Sequence, residues 1–578
     1  MINVVGQANH AVAHSYDDAR ADGAILETKP AGGADDRPLL RPSLRDGFVL
    51  ANVQLTEIER RLPESATEKE AVETAIPVLP PAPPLREGPA GSLVLLAVEI
   101  YGATAYRPEE FAPLYENLLA RPVTMDDVAS LTGAITETYR RDGYFLSRAV
   151  APAQSVDDGV LRINIQEGYL KAVVVKGDAP QAARRRLKAL KDEKPLRLST
   201  LERTLLLVSD LSGVSVSDLR ITPDPLDLAA HMLTVDVDID QFEADVYIDN
   251  RGTEDAGPLQ AYASASVNSI VRTGDRLKAG FFTIPEAPGE LILGDLSYQL
   301  PITDSGAYVT LSGLVSRFDA GALLAALDTE IRTKQIAMRL SYPFIRTRNQ
   351  SLWGDIAFEG RDIEEEQLGA PQFEDKLRIV SAAANYRRDY WNGVTTLSAE
   401  ASRGLNMFGA SAGDASLSRP DADGSFTKIE GQVARYQNIG KTFGVYAAAA
   451  GQVSFEPLLA SEEFAVGGTR FGRAYDFAEL TGDDGFATLV ELRHGRDPGI
   501  SILDFYQIYG FYDYGTVWND NASPEFSRLS LSSAGVGLRL TFPAALFVTV
   551  EAARPLDRVP FTQNDRDWRG FFSVSKTF

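Results

Sequence analysis

The chain has no cysteine among its 578 residues. That excludes disulfide staples, thiolate metal sites and a cysteine nucleophile. The four histidines (His10, His14, His231 and His494) are scattered and supply no ligand set for a metal. No stretch approaches the ~18 consecutive apolar residues of a membrane-spanning helix. A membrane β-barrel stays open, because its strands are short and half polar. Positive charge is in deficit: 57 Lys and Arg stand against 80 Asp and Glu, a net −23. A surface that acidic lacks the basic footprint needed for nucleic acid. Nucleotide chemistry has no P-loop to work with, and Gly535-Val536-Gly537 lacks the third glycine of a dinucleotide fingerprint. Gly409-Ala410-Ser411-Ala412-Gly413 matches the nucleophile-elbow spacing, but no helix follows it and only His494 lies downstream. No catalytic residue, metal or cofactor is therefore expected.

What is present is a chain of 44% apolar and 24% charged residues, enough to bury sizeable cores. Its length suggests several domains. Residues 1–75 are polar, and Met1–Arg20 lacks the charged start and apolar run of a signal peptide. Within this segment Phe48–Leu62 can be drawn as a short helix, with Ala51, Leu55, Ile58 and Leu62 on one face, Gly47 before it and Pro63 after it. Residues 76–90 are proline-rich and read as an extended, semi-rigid linker.

Two small α/β modules follow, 91–169 and 170–240. In the first, a strand at Leu93–Ile100 leads to helices near Pro108–Leu119 and at Asp126–Arg141. The second of these carries Val128, Leu131, Ile135 and Tyr139 on one face. Strands at Tyr144–Val150 and Val160–Gln166 complete the module. The second module repeats the theme. It has a strand at Leu170–Lys176 and a basic helix at Gln181–Leu190. A capping box at Ser199–Glu202 opens a further helix, and a last strand spans His231–Ile239. Modules of this kind commonly bind peptides by adding a strand to a sheet edge.

From residue 241 to 578 helical periodicity disappears. Sixteen alternating segments of about ten residues take its place, the length a membrane-spanning β-strand requires. They run from 242–250 to 569–578 and include 331–342, 350–360 and 376–388. Ile336, Met338, Leu340 and Tyr342 share one face, and Gln335, Ala337, Arg339 and Ser341 the other. One face suits lipid, the other a wet lumen. Connections are mostly short after even strands and often long after odd ones, as at Asp319–Thr329, Arg361–Asp375 and Phe455–Asp484. The 27 Phe and 21 Tyr suffice for two interfacial girdles, and the last strand ends on Phe578. The predicted fold is mainly β: a 16-stranded antiparallel transmembrane β-barrel preceded by two α/β domains.

Two motifs in the barrel region stand out. The connection after the eleventh strand carries Gly467-Gly468-Thr469-Arg470-Phe471-Gly472-Arg473-Ala474-Tyr475, and the thirteenth strand carries Phe511-Tyr512-Asp513-Tyr514-Gly515. On that strand Asp513 shares a face with Gln507, Tyr509 and Phe511, while Tyr512 and Tyr514 face lipid. A carboxylate in a confined lumen wants a guanidinium partner. In the first module, Tyr139-Arg140-Arg141-Asp142-Gly143-Tyr144, Pro152-Ala153-Gln154, Asp158-Gly159-Val160-Leu161 and Glu167-Gly168 stand in order; Ile248-Asp249-Asn250-Arg251-Gly252 opens the barrel, and Tyr342-Pro343 follows.

This constellation, over roughly residues 90–578, resembles the outer-membrane transporters of two-partner secretion (TpsB), the haemolysin secretion/activation family. These join periplasmic POTRA domains to a sixteen-stranded barrel. The sixth-loop sequence is similar to the superfamily's VRGY/F motif with Arg473 as the arginine, but Gly472 replaces valine and Ala474 replaces glycine. Phe511–Gly515 is an intact FxDxG match. The resemblance implies that the sixth loop folds back into the lumen and that Arg473 pairs with Asp513. Tyr475, Phe511 and Gly515 flank that lock, and Glu491 and Arg493 share a face of the twelfth strand and can join it. Phe48–Leu62 would correspond to the family's plug helix.

The implied function is ATP-independent export of an unfolded secreted partner, captured by the POTRA domains and threaded through a monomeric barrel in the bacterial outer membrane. No residue that would bind the partner in the POTRA domains is singled out. The alternative is a barrel-assembly insertase of the same superfamily, whose members usually carry more such modules. A passive porin needs no POTRA repeat, and an outer-membrane enzyme needs a triad or metal cluster that the sequence does not offer.

Overall fold

The computed structural model describes residues 93–578 except 155–157, 254–256, 272, 414–415, 520–526 and 564. The helix drawn at Phe48–Leu62 and the linker at 76–90 lie outside the described residues. The described chain divides into two compact units, one ending at Ile239 and one running from Asp240 to Phe578.

The first unit holds two modules of one topology. In the first module, β1 (Ala97–Tyr101), α1 (Met125–Arg141), β2 (Arg148–Val150) and β3 (Val160–Gln166) form a sheet of order β1-β3-β2. In the second, β4 (Tyr169–Lys176), α2 (Gln181–Ala189), α3 (Leu198–Ser209), β5 (Val214–Pro223) and β6 (Ala230–Ile239) give the order β4-β6-β5. In both the last strand is central, parallel to the first and antiparallel to the middle one. Val128, Leu131, Ile135 and Tyr139 of α1 are buried against Leu161, Ile163 and Ile165 of β3, as their spacing predicts.

Helix starts differ from the sequence reading. Thr124 caps α1, accepting from the Asp127 amide while the Asp127 carboxylate accepts from the Thr124 amide at 2.7 Å. The box expected at Ser199 does not form; α3 already begins at Leu198, with no side-chain cap. Its first turn is set instead by burial of Leu196 and Leu201. Tyr144–Ser147, expected as strand, turns under α1 and buries Leu146 in the core of the second module. Glu167 ends the first module and gathers donors: the amides of Thr104 (2.7 Å) and Ala105 (2.8 Å), the Tyr139 hydroxyl (2.7 Å) and the Thr104 hydroxyl. Burial pushes its carboxyl up, but these four donors outweigh that and hold it below the usual carboxylate range.

The second unit is a closed barrel of sixteen antiparallel strands. The first eight are β7 (Phe242–Asp249), β8 (Gln260–Asn268), β9 (Arg276–Thr283), β10 (Leu291–Pro301), β11 (Tyr308–Asp319), β12 (Glu330–Thr347), β13 (Gln350–Gln367) and β14 (Ala370–Tyr390). The rest are β15 (Gly393–Gly404), β16 (Thr427–Ile439), β17 (Phe443–Ser454), β18 (Asp484–Arg496), β19 (Phe505–Trp518), β20 (Arg528–Phe542), β21 (Leu546–Pro555) and β22 (Arg569–Thr577). The ring closes between β22 and β7 over a ladder running from Ser573–Asp249 to Thr577–Asp245. Ile336, Met338, Leu340, Val490, Leu492, Tyr512 and Val536 are exposed on the outside, while Arg339, Ser341, Glu491, Arg493 and Asp513 are buried inside. That is the inverse of a soluble protein and the expected polarity for a barrel in lipid.

The long connection expected at Arg361–Asp375 is not a loop. β13 and β14 continue to a two-residue turn, Leu368-Gly369, with both φ angles positive (49° and 74°). The acidic stretch Asp362–Glu366 stays in strand because its outward carboxylates meet cations across the ladder: Asp362 with Arg378 at 2.6 Å and Glu366 with Arg332 at 3.2 Å. The long loops that do form on this rim include 405–426 and 455–483.

Candidate functional site: the sixth loop inside the barrel

The loop 455–483 turns back into the lumen. Its two legs pair over three residues each, Phe464–Val466 with Leu480–Gly482. The barrel wall is cut to receive this hairpin. A Cβ on Gly515 of β19 would lie 2.1 Å from the Val466 side chain, and one on Gly485 of β18 would lie 1.8 Å from the Phe464 ring. No real Cβ tolerates such contacts, so the glycine of the strand motif is the socket for Val466. At the tip, Gly467 (φ +128°) and Gly472 (φ +84°) take backbone angles that side chains disfavour. This accounts for glycine at 472, where the family motif has valine.

Beyond that turn Arg473 is buried among three carboxylates. Its Nε donates to Asp513 Oδ2 at 3.2 Å. Its Nη1 donates to Glu491 Oε1 on β18 at 2.7 Å and to Glu551 Oε2 on β21 at 3.2 Å. The backbone amide of Arg473 adds a bond to Asp513 Oδ2 at 3.3 Å, and the guanidinium stacks on the Phe511 ring at 3.5 Å. Each carboxylate has further partners. Ser533 donates to Asp513. Glu491 also accepts from Arg493 Nε (2.6 Å) and Arg539 Nη2 (3.1 Å). Glu551 accepts from the Tyr509 hydroxyl at 2.7 Å and from Arg251. Small residues again make room: Phe511 lies over Gly535 and Tyr509 over Gly537, both on β20.

Arg473, Asp513, Phe511, Glu491 and Arg493, named from sequence, thus meet in one cluster. Gly515 is one step along β19, under Val466. Tyr475 points elsewhere: its hydroxyl donates to Asp557 in the loop 556–568 at 2.8 Å. Asp476 beside it binds Arg569 of β22 at 2.6 Å. Sequence reasoning gave no role in the lock to Glu551, Arg539, Arg251, Tyr509 or Asp557, although it set Tyr509 on the face of Asp513. Strand parity places Glu551 and Arg539 on the lumen face as well, and so could have flagged them. Nothing in the sequence signals that Arg251, just after β7, donates to the Arg473 carbonyl at 3.1 Å.

The guanidinium count matches the role of a fixed structural knot. Arg251, Arg473, Arg493 and Arg539 surround Asp513, Glu491 and Glu551. Removing one member of a buried set leaves the others without compensation, at a cost of roughly 3–5 kcal/mol. The knot ties the loop tip to three wall strands at once.

Comparison with known proteins decides what this architecture is. Residues 234–540, more than half of the chain, match the family described as haemolysin secretion/activation protein ShlB/FhaC/HecB, and residues 93–168 match the ShlB-type POTRA domain. The chain belongs to the ShlB/FhaC/HecB family. It is similar to the heme/hemopexin transporter protein HuxB of Haemophilus influenzae, with 24% identity over 508 residues, 81% of this chain and 84% of that protein. It is also similar to the outer membrane transporter CdiB of Escherichia coli, at 23% identity over 61% of each chain. Among solved structures, CdiB from Escherichia coli superposes with a TM-score of 0.70 at 21% identity, covering 86% of this chain and 93% of that one. BamA from Haemophilus ducreyi, at 12% identity and a TM-score of 0.50, shares the fold. This ShlB-family chain is accordingly an outer-membrane transporter of secreted partner proteins, with POTRA domains and a barrel, and not an enzyme.

Proposed function

We propose that the α/β unit captures an unfolded secreted partner by strand addition, that the partner passes through the barrel lumen, and that the Arg473 knot holds the sixth loop in the position export requires. Supporting the first step, each module offers sheet edges with which no described strand pairs: β1 and β2 in the first, β4 and β5 in the second. An extended chain docks on such edges through main-chain hydrogen bonds. Vectorial folding outside supplies the bias, because apolar surface buried there makes return unfavourable. No nucleotide is needed. The barrel acts as one chain in this reading.

The observation that carries the proposal is the burial of Arg473 among Asp513, Glu491 and Glu551 inside a lumen that must conduct a polypeptide. A loop bound at such cost in the middle of the path is part of the transport machinery. The test replaces Arg473, and separately Asp513, with Ala and measures release of partner protein from cells with equal amounts of inserted barrel. Release falls in both variants if the knot positions the loop. Normal release from abundant, well-inserted variants refutes the assignment.

A further inference from the structure

The sixth loop has a second cluster of buried charges at its neck, about ten residues to either side of Arg473. Glu462 and Glu463 both lie there, out of solvent. Glu462 binds Arg361 of β13 at 2.9 Å and the fully buried Lys428 of β16 at 3.0 Å. Lys428 also donates to the Glu462 carbonyl at 2.9 Å. Arg419, from the loop 405–426, binds Glu463 at 2.5 Å and Asp483 at 2.7 Å. Glu463 precedes the descending leg and Asp483 follows the ascending leg, so one guanidinium clips the two legs together. Gln452 of β17 completes the neck, donating to the carbonyls of Glu462 and Asp483 at 3.1 and 3.0 Å.

The two clusters take hold of different parts of the wall. The neck is tied to the seventh, tenth and eleventh strands of the ring, β13, β16 and β17. The tip is tied to the twelfth, thirteenth and fifteenth, β18, β19 and β21. In a ring of sixteen, Arg361 on the seventh strand and Glu551 on the fifteenth stand half a circumference apart.

We infer that Glu462, Glu463 and Arg419 form a second anchor, which holds the sixth loop across the lumen independently of Arg473. This rests on the reading of the loop as a transport element and adds residues to it. With two anchors, loss of the tip cluster frees the tip alone. The neck stays clipped while Arg361, Lys428 and Arg419 hold it, and Arg419 belongs to the outer loop 405–426. Release of the whole hairpin thereby requires this outer loop to let go as well.

The experiment exploits the absence of native cysteine. Single reporters are introduced in the full chain in intact cells, Ala460→Cys at the neck and Ala474→Cys at the tip, both at buried positions. Labelling by a membrane-impermeant maleimide is timed. Arg419→Ala speeds labelling at 460 by about tenfold or more, because a buried charge set is broken, and leaves labelling at 474 near its starting rate. Arg473→Ala does the reverse. Arg419→Lys restores slow labelling at 460. Glu462→Gln, which preserves shape, speeds labelling at 460 if Arg419→Ala proves poorly inserted. Unchanged labelling at 460 in both Arg419→Ala and Glu462→Gln overturns the second anchor, as does equal acceleration at both reporters. Partner release is measured in the same cells and tests the transport reading separately. Normal release from the Arg473→Ala cells refutes the lock, while the labelling rates still decide the anchor.

Discussion

At the scale of single residues, the lumen knot turns on guanidinium geometry. Arg473 reaches Asp513 through Nε and two glutamates through Nη1, a fork no ammonium reproduces. Arg473→Lys is expected to behave closer to Arg473→Ala than to the parent, with each losing about 3–5 kcal/mol of loop attachment. The shift between folded and unfolded mobility on unboiled gels at graded temperature measures it. Gly515 makes a steric prediction. Gly515→Val displaces Val466 and lowers barrel stability, and adding Val466→Gly restores it, because the two side chains compete for one space. Glu167 predicts a pH dependence. Its carboxyl is held below the ordinary range when folded, so its contribution is present above the unfolded value and is lost as pH falls through the folded one. Amide protection at residues 102–106, taken relative to the intrinsic exchange rate at each pH, should fall on acidification below that range, and Glu167→Gln should remove the step. Constant protection in the parent would contradict this.

Much at this scale was open to sequence reasoning. Asp513 could be placed on the lumen face by parity alone, and resemblance supplied Arg473 as its partner. Arg251 and Asp557 could not be found that way. They sit in connections, where no periodicity says which way a side chain points.

At the scale of elements, strand alternation located the barrel because a lipid-facing residue every second position is a strong physical constraint. The signal fades where lipid ends. β13 reads as stopping near residue 360 because Asp362, Glu364 and Glu366 break the apolar outer face, yet the ladder continues on ion pairs. The hairpin inside the sixth loop was invisible for the opposite reason: its three-residue strands are too short for any period to show. Its placement gives a cross-linking prediction. A Cβ at Gly515 would lie 2.9 Å from the Cβ of Val466, closer than the ~3.5–4.5 Å of disulfides, so a small outward shift of the hairpin leg brings the pair into bridging range. The pair Val466→Cys and Gly515→Cys should form a bond on added oxidant once the leg makes that shift, in a chain with no other cysteine. Export that requires the hairpin to move should stop on oxidation and resume on reduction. Export indifferent to the bond would show that the partner passes beside a stationary loop.

At the scale of the whole molecule, the two compact units predict separable behaviour. Removing residues 91–240 should leave a barrel that inserts and resists heat on gels, while partner release is lost. Secretion at the parent level would contradict the capture role. The sequence made the duplication of the α/β module legible because both copies keep one order of elements.

The barrel's ladders are uneven around the ring. Between β13 and β14 the register runs for eighteen residues, from Gln350–Arg388 to Gln367–Ala370; between β22 and β7 it runs for five. Backbone bonding is the main resistance of such a hoop to stretching, so the cylinder has a stiff arc and a compliant one. Tension applied across it in a single-molecule pulling experiment will find the compliant arc first.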